Sequence, residues 1–91
     1  MKVIHITEEN HGHIGTAVSM KAAFQYLVDA EWLTFNTDIW LFDSWVTIGK
    51  IFDDNGWHKT KESLVEWAMN RDEEVWDGMF YFSADELIEE D

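Results

Sequence analysis

Three histidines, His5, His11 and His13, fall within nine residues, and Glu8 and Glu9 stand between the first two. Neutral imidazole and carboxylate are good zinc ligands, and two residues at i and i+2 beside a tight turn can converge on one ion. His5, His11 and His13 are therefore the candidate metal set, with zinc as the ion and His58 as a distant fourth ligand. A small chain with no cysteine gains from such a site, because forming it is coupled to folding. The competing arrangement is a solvated turn in which His13 pairs Glu9 across the strands for about 0.2–1 kcal/mol. The spacing matches no fixed zinc motif.

Other chemistries are poorly provided for. The five glycines stand apart or flank turns, so no loop is built to cradle phosphate. A thiolate nucleophile is excluded by composition. None of Ser19, Ser44, Ser63 or Ser83 sits in a nucleophile-elbow context, and Ser19 and Ser83 suit helix caps. Nineteen acids make many accidental carboxylate pairs, and so small a chain seldom encloses a deep substrate cleft. The expectation is a protein that is not an enzyme.

Charge gives the second constellation. Residues 62–91 hold eleven acids against one base, Arg71, whereas residues 1–61 hold eight against five, so −10 of the net −13 lies in the last third. Glu62, Glu66, Glu73, Glu74, Asp77, Asp85, Glu86, Glu89 and Glu90 are the carboxylates expected to meet a partner, with Trp76 as an aromatic anchor among them. Closely spaced carboxylates can imitate a phosphate backbone, which carries one charge per ~1.7 Å of duplex axis. Such a surface repels nucleic acid and anionic membranes and attracts a basic protein groove. The plainer role for the same charges is solubility, keeping a tryptophan-rich chain monomeric. Of the six tryptophans, Trp57 beside Asn55-Gly56 and Trp76 amid Glu73, Glu74 and Asp77 are expected at the surface. Aromatic anchors ringed by charge are the usual make-up of a binding hot spot.

The elements that position these residues read as α+β. Val3–Thr7 and Ile14–Val18 are β-branched and alternating, and a loop of Asn10, His11 and Gly12 joins them as an N-terminal hairpin. In that register Glu8 faces Ile14 and Glu9 faces His13, so Ile4, Ile6, Ile14, Thr16 and Val18 share the buried side while His5, Thr7 and His13 share the other. Ser19 caps a helix over residues 20–32 with Met20, Ala23, Phe24, Leu27 and Val28 at helical spacing. Ile39–Phe42 reads as a third strand, Ser44–Phe52 as a short helix ended by Asp53-Asp54-Asn55-Gly56, and Thr60 as the cap of a helix with Leu64, Val65, Ala68 and Met69 inside. Met79–Phe82 reads as a strand, and Ser83-Ala84-Asp85-Glu86 as the capping box of a last helix carrying Leu87 and Ile88. The whole, residues 1–91, is expected to be a single compact domain: an antiparallel sheet of three or four strands with helices on one face.

Fourteen aromatics among 91 residues separate this chain from a disordered acidic tail, which is poor in them. Without cysteine, and with an opening apolar run too short for a signal segment, a cytoplasmic setting is expected.

A compact, acidic, cysteine-free and aromatic-rich domain resembles the small accessory proteins of bacteriophages and prophages. The opening Val3-Ile4-His5-Ile6-Thr7-Glu8-Glu9-Asn10-His11-Gly12-His13-Ile14-Gly15, followed by Ala22–Trp32, is similar in style to short proteins from phages of low-GC Gram-positive hosts. Within that group the profile resembles anti-CRISPR proteins, a likeness of type with no shared motif and no residue to transfer. It implies stoichiometric inhibition: docking on a basic surface of a type II CRISPR effector nuclease in the host cytosol, and blocking DNA loading or cleavage. The alternative is a zinc-stabilised adaptor or regulator acting through an aromatic hot spot.

Overall fold

The computed structural model describes residues 2–86. In chain order the elements are β1 (Lys2–Glu8), β2 (Gly12–Ala17), α1 (Met20–Asp29), β3 (Asp38–Leu41), β4 (Ser44–Thr47), α2 (Ile48–Asn55), α3 (Lys61–Met69), a 3-10 turn (Glu73–Trp76) and β5 (Phe80–Glu86). Strands β2, β1 and β5 form an antiparallel sheet with β1 central, and β3 and β4 form a separate two-stranded hairpin. The fold is the α+β class expected. Its strands divide between two sheets.

Local chemistry sets the helix boundaries. Ser19, Thr47 and Thr60 each stand at an N-cap and accept a backbone N–H from three residues ahead, at Ala22, Lys50 and Ser63. At Thr60 the cap is reciprocal, since its own N–H donates to the Ser63 hydroxyl at 2.9 Å, a capping box. Helix α2 ends on Gly56 in the left-handed region at φ 69°, which glycine adopts without a Cβ penalty. Helix α1 stops at Asp29, shorter than the span to 32 that periodicity suggests, because Glu31 takes φ 63° and the chain turns back with Leu33 N–H donating to Leu27 C=O.

The N-terminal hairpin forms in a different register from the one expected. Ile4 faces Ala17, His5 faces Thr16 and Ile6 faces Gly15, but Thr7 faces His13 and Glu8 faces Gly12. Ile14 is therefore the extra residue of a β-bulge. The shift reverses the sides of β2's C-terminal half: Ala17 is buried, while Thr16 and Val18, expected inside, are exposed. Helix packing explains the choice. The Tyr26 hydroxyl of α1 donates to Ile14 C=O at 2.7 Å, and its ring lies so close over Gly15 that a Cβ there would stand 2.8 Å from it. A bulged carbonyl and a missing side chain together seat the helix.

Two further segments depart from expectation. Ser44–Thr47 is strand, paired with β3, and the helix begins only at Ile48, as the β-branched Val46-Thr47 favours. Ser83–Glu86 continues β5 as the partner of β1 down to Lys2. A full ladder of backbone hydrogen bonds there outweighs the local capping pattern. Leu87, Ile88, Glu89 and Glu90 lie outside the described residues. The core gathers Ile6, Phe24, Leu27, Leu33, Ile39, Ile48 and Leu64, with α1 packed on the β1–β2 hairpin and against α3.

Candidate functional site

The bulge at Ile14 decides where the histidines go. By simple alternation His13 would share a side with Gly15 and Ala17; the extra residue turns it to the open face of the sheet beside His5. There His5 Nδ1 lies 3.4 Å from His13 Nε2, the two rings 5.5 Å apart. His5 Nε2 lies 3.4 Å from Asp85 Oδ2 on β5, and the Thr16 hydroxyl lies 3.3 Å from His13 Nε2. His11 goes elsewhere: it hydrogen-bonds Glu8 and sets its ring against Trp32, centroids 4.9 Å apart. The set of three expected from sequence is thus a pair plus one. Among the described residues no three His, Asp or Glu side chains are arranged to hold a metal ion.

Glu8 organises its own turn. It accepts from His11 Nδ1 and from the Asn10 N–H at 3.1 Å. The His11 hydrogen bond, the largest cause, holds its carboxyl below the usual glutamate range against the opposing effect of desolvation, and the Asn10 N–H adds to the lowering.

The expected acidic residues do not share one element. Glu62 and Glu66 border a groove of about 600 Å³ between α3 and α1, where Lys21 and Gln25 also stand. Glu73, Glu74 and Asp77 are exposed on and just after the 3-10 turn, which packs beside β3. Asp85 sits on the sheet's open face with His5, and Glu86 closes β5 opposite Lys2. Three lysines are engaged elsewhere, Lys50 with Asp54, Lys59 with Asp53 and Lys61 with Asp29. Among the described residues none of Glu62, Glu66, Glu73, Glu74 or Asp77 forms an ion pair, so their charge stands uncompensated at contact range.

Trp76 is a correction. It is 2% exposed rather than at the surface, packed among Phe24, Trp67 and Phe80, with its Nε1–H buried and without a hydrogen-bond partner among the described residues. The 3-10 turn points its acids outward and this one ring inward, because the space between α1, α3 and β5 requires a large apolar group. Trp57, by contrast, is at the surface as expected, 48% exposed.

The surface aromatics that sequence reasoning missed are on β3–β4. Leu41 pairs with Ser44 around a two-residue turn of Phe42 and Asp43, both at positive φ, 52° and 61°. Two-residue hairpin turns of that kind favour Asn-Gly, and a bulky residue at positive φ is an outlier. Phe42 is 96% exposed at the tip. Behind it Trp40 and Trp45 face each other across the strands, edge to face at 5.4 Å, and both are more than half exposed. The other side of the hairpin is apolar, with Ile39 buried. It opens on a groove of about 420 Å³ where Leu41, Val46 and Ile51 meet Trp57, Trp67 and Arg71, the guanidinium lying 4.9 Å over the Trp67 ring. The available signal was the five-residue spacing of Trp40 and Trp45, which places two residues opposite each other around a two-residue turn. Phe-Asp disguised it, being no turn dipeptide.

Among the described residues no serine hydroxyl meets both a histidine side chain and an acid by hydrogen bonds. Likewise no described helix is long and apolar enough to cross a membrane. No family model, curated protein or solved structure matches the chain.

Proposed function

We propose that this protein works by docking, without catalysis of its own, and that its partner is a protein with a cationic surface. The β3–β4 hairpin is the anchor, with Phe42 inserted and Trp40 and Trp45 covering the rim. The supporting observation is the tip itself: an almost fully exposed phenylalanine held at positive φ. Such a conformation costs about 1–3 kcal/mol, and strain of that kind collects where a structure presents something to a ligand. Exposed aromatics clustered at one place mark interaction sites. Charge then selects the partner. Glu73 and Glu74 project beside the hairpin, Asp43 shares its tip, and the whole chain carries −13, so a basic surface is attracted and steered into place.

Together with the likeness to small phage inhibitors, this makes a basic nucleic-acid-handling protein the partner class, and a type II CRISPR effector nuclease the first member to test. Occupying its duplex-holding surface would block DNA loading or cleavage.

The experiment is a binding and cleavage assay with a guide-loaded type II effector. Wild-type chain is expected to bind in one-to-one stoichiometry and suppress cleavage. Phe42→Ser with Trp45→Ser should weaken binding about 30-fold or more, the equivalent of one hot spot of about 2 kcal/mol. Glu73→Lys with Glu74→Lys should slow association and reduce its salt dependence. An effector that cleaves normally at saturating protein removes that partner. Binding that survives the hairpin substitutions removes the anchor.

A further inference from the structure

We propose that His5 and His13 form a two-imidazole site for a divalent transition cation such as zinc on the open face of the three-stranded sheet. It is independent of the docking hairpin, which lies on the other sheet. Three distances carry it. The facing nitrogens, His5 Nδ1 and His13 Nε2, are 3.4 Å apart. Two ligands at about 2.0–2.1 Å from a tetrahedral ion subtend about 3.3–3.4 Å between them, so the separation is that of two zinc-bound nitrogens. A direct hydrogen bond would draw the nitrogens closer, towards about 3.0 Å.

The neighbours set the protonation that a metal needs. Asp85 Oδ2, 3.4 Å from His5 Nε2, favours the proton on that nitrogen and leaves Nδ1 with its lone pair. This is the carboxylate–histidine–metal arrangement, in which the outer carboxylate orients the ring and raises its basicity. The Thr16 hydroxyl lies 3.3 Å from His13 Nε2; donating there, it favours the tautomer that keeps the lone pair on that nitrogen, and a cation that takes the lone pair displaces the contact. Two lone pairs then face each other across a gap, and a cation between them relieves the contact. Three strands contribute: His5 from β1, His13 and Thr16 from β2, Asp85 from β5. The bulge at Ile14 is what brings His13 to this face.

Two imidazoles fill half of a tetrahedral shell, and the face is open, so water or a partner's side chain takes the remaining positions. The site is therefore an exchangeable one. His11, hydrogen-bonded to Glu8, takes no part.

The test is a zinc titration of the full chain followed by NMR of the imidazole Cε1–H signals, with calorimetry for affinity. His5 and His13 should shift together and saturate at one zinc per chain, with His11 and His58 unmoved. His13→Ala should lower affinity at least tenfold, Asp85→Asn about 10-fold, and His11→Ala should leave it unchanged. His13 is exposed, so its loss should leave the melting curve in place; if it does not, the unsubstituted protein's NMR pattern decides alone. Equal shifts of all four histidines, or none at millimolar zinc, would overturn the site.

Discussion

Two pairs of tryptophans in one small chain do opposite things. Trp67 and Trp76 are 7% and 2% exposed and stack edge to face inside the core. Trp40 and Trp45 make a similar edge-to-face pair in the open, 51% and 67% exposed. Their sequence neighbourhoods suggest the reverse. Trp76 stands among Glu73, Glu74 and Asp77, and Trp40 stands in the apolar run Ile39-Trp40-Leu41-Phe42. Exposure is therefore set by which side of an element meets the core, and charge density along the chain is a poor guide to it. A four-residue 3-10 turn can bury one ring while its acids face water. A two-stranded hairpin buries one side only, and the aromatics on the other side have nothing to cover them.

The sharpest way to break this contrast is to remove one ring from each pair. Trp76→Ala should destabilise the fold by about 3–5 kcal/mol in urea denaturation, the range for losing a large buried aromatic. Trp45→Ala should cost about 1 kcal/mol or less, since little is lost beyond a pairwise aromatic contact. Trp76→Phe should fall between them, because the cavity it leaves is offset in part by removing an indole N–H that is buried without a partner among the described residues. Similar losses for Trp76→Ala and Trp45→Ala would mean that the hairpin belongs to the core.

That contrast also shows what the sequence could and could not tell. Helix caps at Ser19 and Thr60 and the turn at Gly56 are local signals, and each marks a real boundary. The open-face grouping of His5, Thr7 and His13 was expected from alternation in a register that does not form; the structure reaches the same grouping through the bulge at Ile14. The register was not legible, because it depends on Tyr26 reaching Ile14 C=O from a helix more than ten residues away. Nor was the strand at Ser83–Glu86, whose capping pattern yields to long-range pairing with β1. The acids that looked continuous along the chain lie on α3, the 3-10 turn and β5. The hairpin tip was hidden for a related reason: Phe-Asp at positive φ contradicts turn propensity, and strained sites are where propensity is expected to fail.

A second substitution tests whether that strain is kept for presentation. Replacing Phe42-Asp43 by Asn-Gly installs the dipeptide that a two-residue hairpin turn prefers. Relief of two left-handed residues should raise stability by about 1–3 kcal/mol, read as a higher melting temperature, while partner binding falls. A turn that gains nothing would show that the tip is already at ease with Phe42 and would remove strain as an argument for function.

The smallest effect distinguishes the two hairpin turns themselves. The β3–β4 turn is supported by little besides Ser44 donating to Leu41 C=O at 3.3 Å, whereas the β1–β2 turn is tied by Glu8 to both Asn10 and His11. Those hydrogen bonds depress the Glu8 carboxyl in the folded state. The sign of the linkage follows from that direction. Glu8 contributes its stabilisation above the pKa it has in the unfolded chain, and loses it as pH falls through the lower, folded value. His11→Ala removes the largest cause, so the acid limb of the stability curve should still begin at the unfolded value but finish at higher pH, and the loss between neutral and strongly acidic solution should shrink. Phe42→Ala, at the other turn, should leave that limb where it is. An acid limb that ignores His11 would mean that the first turn is held by its backbone alone, as loosely wired as the second.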